Sequence, residues 1–305
     1  MNFFRHYKTF DEILPSFLAD IKMQIGAKSY LSYTGKTKVF SDWLEHNKLN
    51  LIQLNKLTSQ NISDFFVYLA TRKNLDKPTC QKYSLTIRKV FLFAQKRDEV
   101  ADIPFDLVTY PKKGKDMSAR VISPEHSKIL LEDIKQHDKQ LYLATMMEYF
   151  CFIRPGTELR LMKVGDLDFG NGTIRVTSEH AKNGHQRIVT MPDQFIEIAK
   201  EQGLDKIDRN LFIFGKHYKP GEVPWSVNML DYHFNKFRNK HNLPKEYKLY
   251  SWKHNGATGL HRSGAPLIDT MIQLGHSSLS ASQHYIHKHM ETVNNGIKKN
   301  FPNPY

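Results

Sequence analysis

The chain has 305 residues, 40% hydrophobic and 25% charged, a composition that excludes a disordered or fibrous protein and is long enough for two hydrophobic cores. Forty-four Lys and Arg against 31 Asp and Glu leave a net charge of +13, which favours a polyanionic partner, nucleic acid ahead of an anionic membrane surface. No apolar run approaches the roughly 18 residues of a membrane span, the N-terminal MNFFRHYKTFDEILP lacks a secretory core, and two cysteines are too few for a disulfide framework, so a cytoplasmic protein without a membrane partner is expected.

The first hundred residues read as helices. Ile13, Phe17 and Ile21 form one apolar stripe. Ile62, Phe65, Phe66 and Leu69 form another, after the cap signal Thr58/Ser59. In KYSLTIRKVFLFAQKR, Tyr83, Ile87, Val90, Phe91 and Ala94 share one side, while Lys82, Lys89 and Lys96 recur at heptad spacing on another. Such a cationic face is either a solvated surface or a phosphate-binding one. The following DIPFDLVTYPKKGKDMSAR, with two prolines, a glycine and no sustained periodicity, reads as an interdomain linker. Its Lys112, Lys113 and Lys115 are suited to run along a nucleic-acid backbone. The expected division is a helical domain over 1–104, a basic linker over 105–121 and a second domain over 122–305.

Helical pattern resumes at SPEHSKILLEDIKQ, where Ser123, Pro124 and Glu125 suit a first turn. Then DLDFGNGTIRVTSEHAKNGHQRIVTMP carries the turn signals Gly170-Asn171-Gly172 and Asn183-Gly184 between short β-prone runs. This predicts an antiparallel sheet of about three strands with Lys182 at a hairpin tip. Helices return from Phe195, and the run Lys236 to Arg262 holds seven Lys/Arg and one acidic residue, Glu246. The fold class is therefore mainly α, with a small antiparallel β-sheet confined to a mixed second domain.

Near the end, LGHSSLSASQHYIH separates His276 from Tyr285 by nine positions, two and a half turns, which on one straight helix sets them on opposite faces. They share a pocket only if the chain breaks between them. Gly275 suits a helix end, and Ser277, Ser278 and Ser280 are candidate caps for a new helix. Fifteen histidines occur without an H-E-x-x-H or Cys/His ladder, so no metal site is expected.

FIRPGTELRLMKVGDLDF, HAKNGHQRIVTMP, YSWKHNGATGLHRSG and LGHSSLSASQHYIH occur in the order and spacing of the tyrosine recombinase (phage integrase) family, which the whole chain resembles. The resemblance implies an integrase-like pair of domains, a helical core-binding domain and a mixed α/β catalytic domain. It also implies a site-specific DNA recombinase that integrates, excises or inverts a DNA element without metal or other cofactor. Tyr285 would be the nucleophile that forms a 3′-phosphotyrosyl link. Arg154 would bind the scissile phosphate, Lys182 would protonate the leaving 5′-oxygen, and His276 would donate a hydrogen bond to the phosphate. Partners would be double-stranded DNA with paired recognition sites and further copies of the chain, a tetramer in the synapse, with the tail after Tyr285 docking on a neighbouring copy. The chain begins almost at the core-binding helices, which favours an enzyme reading one class of site.

Three departures from the family pattern stand out. Tyr250 and Lys253 replace the histidine and second arginine of the usual histidine-x-x-arginine, and Lys253 lacks the bidentate fork of arginine. One extra residue between Arg154 and Glu158 puts Glu158 out of register for orienting Arg154. Tyr250 and His254 are expected to support the pocket. These departures leave a second reading, a recombinase-like DNA-binding regulator without catalysis.

Overall fold

The computed structural model describes residues 7–106, 108, 119–182 and 184–275. His276, Tyr285, the tail, Lys112, Lys113 and Lys115 lie outside these residues. The chain divides between Asp116 and Met117 into two compact units.

The described residues of the first unit form four α-helices and one short 3-10 turn, Leu54–Lys56. The first, α1 (Phe10–Gln24), opens with a reciprocal cap between Thr9 and Glu12 and buries Phe10, Ile13, Phe17 and Ile21 at helical spacing. It is followed by α2 (Ala27–His46), α3 (Ser59–Thr71) and α4 (Lys77–Gln95). Thr58 caps α3 with Asn61, and Asp76 caps α4 through the Thr79 amide. Aromatic rings fill the centre, with Phe40 edge-on to both Phe10 and Phe65 at 4.8 Å. This core reaches to Phe105, which packs on Phe91 at 5.5 Å, inside the stretch that composition assigns to the linker. On α4, Ile87, Val90, Phe91 and Ala94 are buried and Tyr83 is half-buried, while Lys82, Lys89 and, at the C-cap, Lys96 are exposed. Lys89 donates to the Tyr33 hydroxyl at 2.7 Å and lies over its ring.

The second unit centres on α6 (Lys139–Cys151), which follows α5 (Pro124–His137) and buries residues on all sides. A three-stranded antiparallel sheet comes next, in the order β1 (Leu167–Asp168), β2 (Thr173–Val176) and β3 (Arg187–Thr190). The register pairs Ile174 with both Leu167 and Val189. Strand alternation puts Ile174, Val176 and Val189 inward, and Arg187 falls in phase with Val189. Then come α7 (Asp193–Glu201), α8 (Met229–Lys240), α9 (Ser251–Arg262) and α10 (Leu267–Leu274). None of the described helices is long and apolar enough to cross a membrane.

Two contacts position the later helices. α9 packs on α6 at Gly256, where an added Cβ would stand 1.8 Å from the Tyr149 carbonyl oxygen. α10 packs on α9 and on β3, and Gln273 ties it to the edge of β3 by accepting from the Thr190 amide at 3.0 Å and donating to its carbonyl at 2.7 Å. The helix stops at Leu274 because Gly275 adopts φ 67°, the left-handed conformation that favours glycine. No unbroken helix therefore runs from Leu267 to Tyr285.

Gly256→Ala should lower stability by at least about 3 kcal/mol, because backbone cannot yield as a side chain can. Gly35→Ala, in an exposed stretch of α2 with nothing within 4 Å of the new Cβ, should raise it by about 0.5–1 kcal/mol. Urea unfolding of the two variants checks both signs.

Candidate active site

Arg154 follows α6 after a tight exit. Phe152 ends the helix at φ 54°, a left-handed conformation costly for a residue with a Cβ, and Ile153 is fully buried. From Arg154 the chain makes one π-helical turn, Pro155–Leu159, in which the Leu159 amide donates to the Arg154 carbonyl at 2.9 Å. A π turn accommodates one residue more than an α turn. This is where the extra residue goes, and Glu158 is not lost from Arg154. Its Oε2 accepts the Arg154 backbone amide at 3.0 Å and its Oε1 accepts Arg154 Nη1 at 2.6 Å.

The same carboxylate carries a second guanidinium. Arg187, from β3, donates Nη1 to Oε1 at 3.0 Å and Nη2 to Oε2 at 2.6 Å, the bidentate fork that suits arginine. The Glu158 side chain is 2% exposed, Arg187 12% and Arg154 20%. Burial works against the charged carboxylate, but Arg187 and then Arg154 overcome it and hold the Glu158 pKa at about 2. Arg154 is the most open member of the cluster. Its charge is opposed by burial but secured by Glu158 and by a hydrogen bond with Tyr250.

Lys253 and Tyr250 come from the start of α9. Lys253 is wholly buried, and its Nζ donates to the Phe152 carbonyl at 2.7 Å, satisfying an orphan acceptor at the end of α6. Burial, followed by repulsion from Arg154, lowers its pKa to about 7. The expected cation at this position is therefore only partly charged at neutral pH. Burial raises the Tyr250 pKa against the pull of Arg154. His254 sits edge-on to the Tyr250 ring at 5.0 Å. Beneath them Glu148 of α6 is fully buried, and neither of its oxygens has a partner among the described residues. Burial and then Asp231 push its pKa well above the usual carboxylate range.

The structure thus brings together Arg154, Glu158, Tyr250, Lys253 and His254, while Lys182 stands exposed on the connection from β2 to β3. Among the described residues, no group of three or more His, Cys, Asp or Glu could hold a metal ion. Sequence reasoning missed Arg187 and Glu148. Arg187 had a signal, a cation in the inward phase of a predicted strand. Glu148 had none, because a glutamate in a helix is ordinarily a surface residue.

The phage integrase family profile matches residues 120–292. A tyrosine recombinase of Thermosipho africanus is 21% identical over 280 residues, covering 89% of each chain. Recombinase XerC of Pediococcus pentosaceus is 24% identical, covering 92% of this chain and 94% of its own. XerD of Staphylococcus epidermidis is 26% identical, covering 90% and 93%. In fold, the chain is similar to the Tn1549 transposon integrase in complex with a circular intermediate DNA, with a TM-score of 0.74, 17% identity and coverage of 91% and 94%. A lambda integrase dimer bound to a COC′ core site gives 0.73 at 17% identity, with coverage of 94% and 98%. The chain belongs to the phage integrase family and is a tyrosine recombinase, an enzyme of site-specific recombination.

The Glu158 cluster makes stability pH-dependent with a definite sign. A carboxylate at about 2 in the folded chain and at an ordinary 4.5 unfolded contributes about 3 kcal/mol above pH 4.5, lost as the pH falls towards 2. Glu158→Gln leaves two buried guanidiniums without their counter-charge and should cost about 3–5 kcal/mol at pH 7. Urea unfolding of both proteins between pH 3 and pH 7 checks this, with the variant expected to lose the Glu158 part of the slope.

Proposed function

We propose that the protein cuts and rejoins duplex DNA through a covalent 3′-phosphotyrosyl intermediate on Tyr285. The observation that carries this reading is Arg154, the most exposed member, at 20%, of a buried ionic cluster that fixes its guanidinium. A guanidinium held from behind, with donors to spare, suits the non-bridging oxygens of a phosphodiester in its transition state. The Tyr285 hydroxyl attacks phosphorus and releases its proton to water, the bond to the 5′-oxygen breaks, and Lys182 gives that oxygen its proton. His276 donates a hydrogen bond to the phosphate. In rejoining, a 5′-hydroxyl attacks phosphorus and returns its proton to Lys182, the bond to Tyr285 breaks, and the tyrosine takes its proton back from water. One phosphodiester replaces another, so no nucleotide is consumed.

Duplex DNA with paired recognition sites is the proposed substrate, bound mainly through phosphates. The exposed Lys82 and Lys89 of α4 and Lys96 at its C-cap, together with Lys112, Lys113 and Lys115, are its proposed contacts. The solved relatives include a lambda integrase tetramer bound to a Holliday junction, with a TM-score of 0.71. A tetrameric synapse acting in the cytoplasm on a mobile or invertible element is the corresponding reading here.

A nicked suicide substrate tests the chemistry. The wild-type protein should form a covalent adduct that Tyr285→Phe abolishes, and Arg154→Ala should slow adduct formation by about 10²–10³-fold. Specific binding by wild type without an adduct would favour the regulator reading instead.

Lys253 adds a pH test. Its ammonium prevails below about pH 7, and a nearby phosphate favours that form, so binding DNA should take up a proton. Affinity should fall as pH rises from 7, by at most about tenfold per unit. Lys253→Met should remove this slope in titrations at fixed salt, and an unchanged slope would contradict the assignment.

A further inference from the structure

Arg187 falls within HAKNGHQRIVTMP, five positions after Lys182, but no role was read for it there, and it grips the carboxylate that holds Arg154. Both terminal nitrogens grip both Glu158 oxygens, at 3.0 and 2.6 Å, from a side chain 12% exposed. Its other flank faces α10. A Cβ built on Gly275 would stand 2.6 Å from Arg187 Cδ and 3.0 Å from its Nε. Gly275 is therefore required twice, by its φ of 67° and by the arginine stem beneath it. Because Gly275 immediately precedes His276, one side chain touches both the support of Arg154 and the turn leading to His276.

The π turn makes this second grip useful. Glu158 lies on a five-residue irregular turn, and its hold on Arg154 uses one guanidinium nitrogen and one backbone amide. A fork from β3, a separate element, fixes both oxygens of the carboxylate at once.

We propose that Arg187 is a positioning residue for strand cleavage, holding Glu158 against Arg154 and backing the Gly275 turn. It acts through Glu158 and through the backbone, and it is not assigned a contact with DNA. The proposal rests on the phosphotyrosyl reading above.

The test measures the single-turnover cleavage rate on the nicked substrate at saturating DNA, alongside DNA affinity, for wild type, Arg187→Met and Arg187→Lys. Absence of a wild-type adduct would refute the phosphotyrosyl reading itself. With the wild-type adduct present, Arg187→Met should cleave about 10²-fold more slowly with affinity changed less than about threefold, since misplacement by about an ångström costs that much in rate. Arg187→Lys, which restores the charge and one contact but not the fork, should fall between the two. If Arg187→Met does not fold, Arg187→Lys decides. Cleavage by either folded variant within about threefold of wild type, or a loss of rate matched by an equal loss of affinity, would overturn the assignment.

Discussion

A buried carboxylate shared by two guanidiniums organises the second unit. Taking Glu158 out of water is costly on its own, and neither Arg154 nor Arg187 would repay that cost through a single long contact. Four hydrogen bonds between 2.6 and 3.0 Å, three of them from charged groups, make the burial sustainable. The consequence is geometric as much as energetic. The cluster joins the exit of α6 to β3, and only Arg154 keeps an exposed flank of any size.

A second set of contacts holds α9 at the correct depth. Without a side chain at Gly256 the helix approaches the Tyr149 carbonyl closely, and Lys253, one turn earlier, reaches the carbonyl of Phe152. The left-handed turn at Phe152 therefore ends α6, presents an acceptor to Lys253 and starts the short path to Arg154. Where an arginine would occupy more room and keep its charge, lysine is buried with a pKa near 7. The chain keeps a cation in reserve at the site, its charge set by what lies beside it.

Much of the fold was legible because apolar periodicity is a strong signal. Ile13, Phe17 and Ile21, and likewise Ile62, Phe65, Phe66 and Leu69, are buried faces of α1 and α3, and the glycine-containing turns separate the strands of a three-stranded sheet. α2 offered less, since its buried set is only Thr37, Phe40, Trp43 and Leu44 in twenty residues. At the site, residue types and order picked out Arg154, Glu158, Tyr250 and Lys253. What could not be read was how the extra residue before Glu158 is absorbed, because a π turn depends on a backbone bond from Leu159 to Arg154. The grip of Arg187 was hidden for a similar reason. Its partner is 29 positions away, on a different element, and no local pattern joins them. Burial of Lys253 depends on α9 packing against α6, and charge alone gives no sign of it.

The central claim, that Arg187 and Glu158 form one coupled unit, is tested most directly by a double-mutant cycle. Unfolding free energies would be measured for wild type, Arg187→Met, Glu158→Gln and the double variant at pH 7. A bidentate buried pair predicts a coupling energy of at least about 1.5 kcal/mol, with the double variant less damaged than the two single losses added together. Losses that add to within about 0.5 kcal/mol would show that the two side chains do not depend on each other, and would contradict the account.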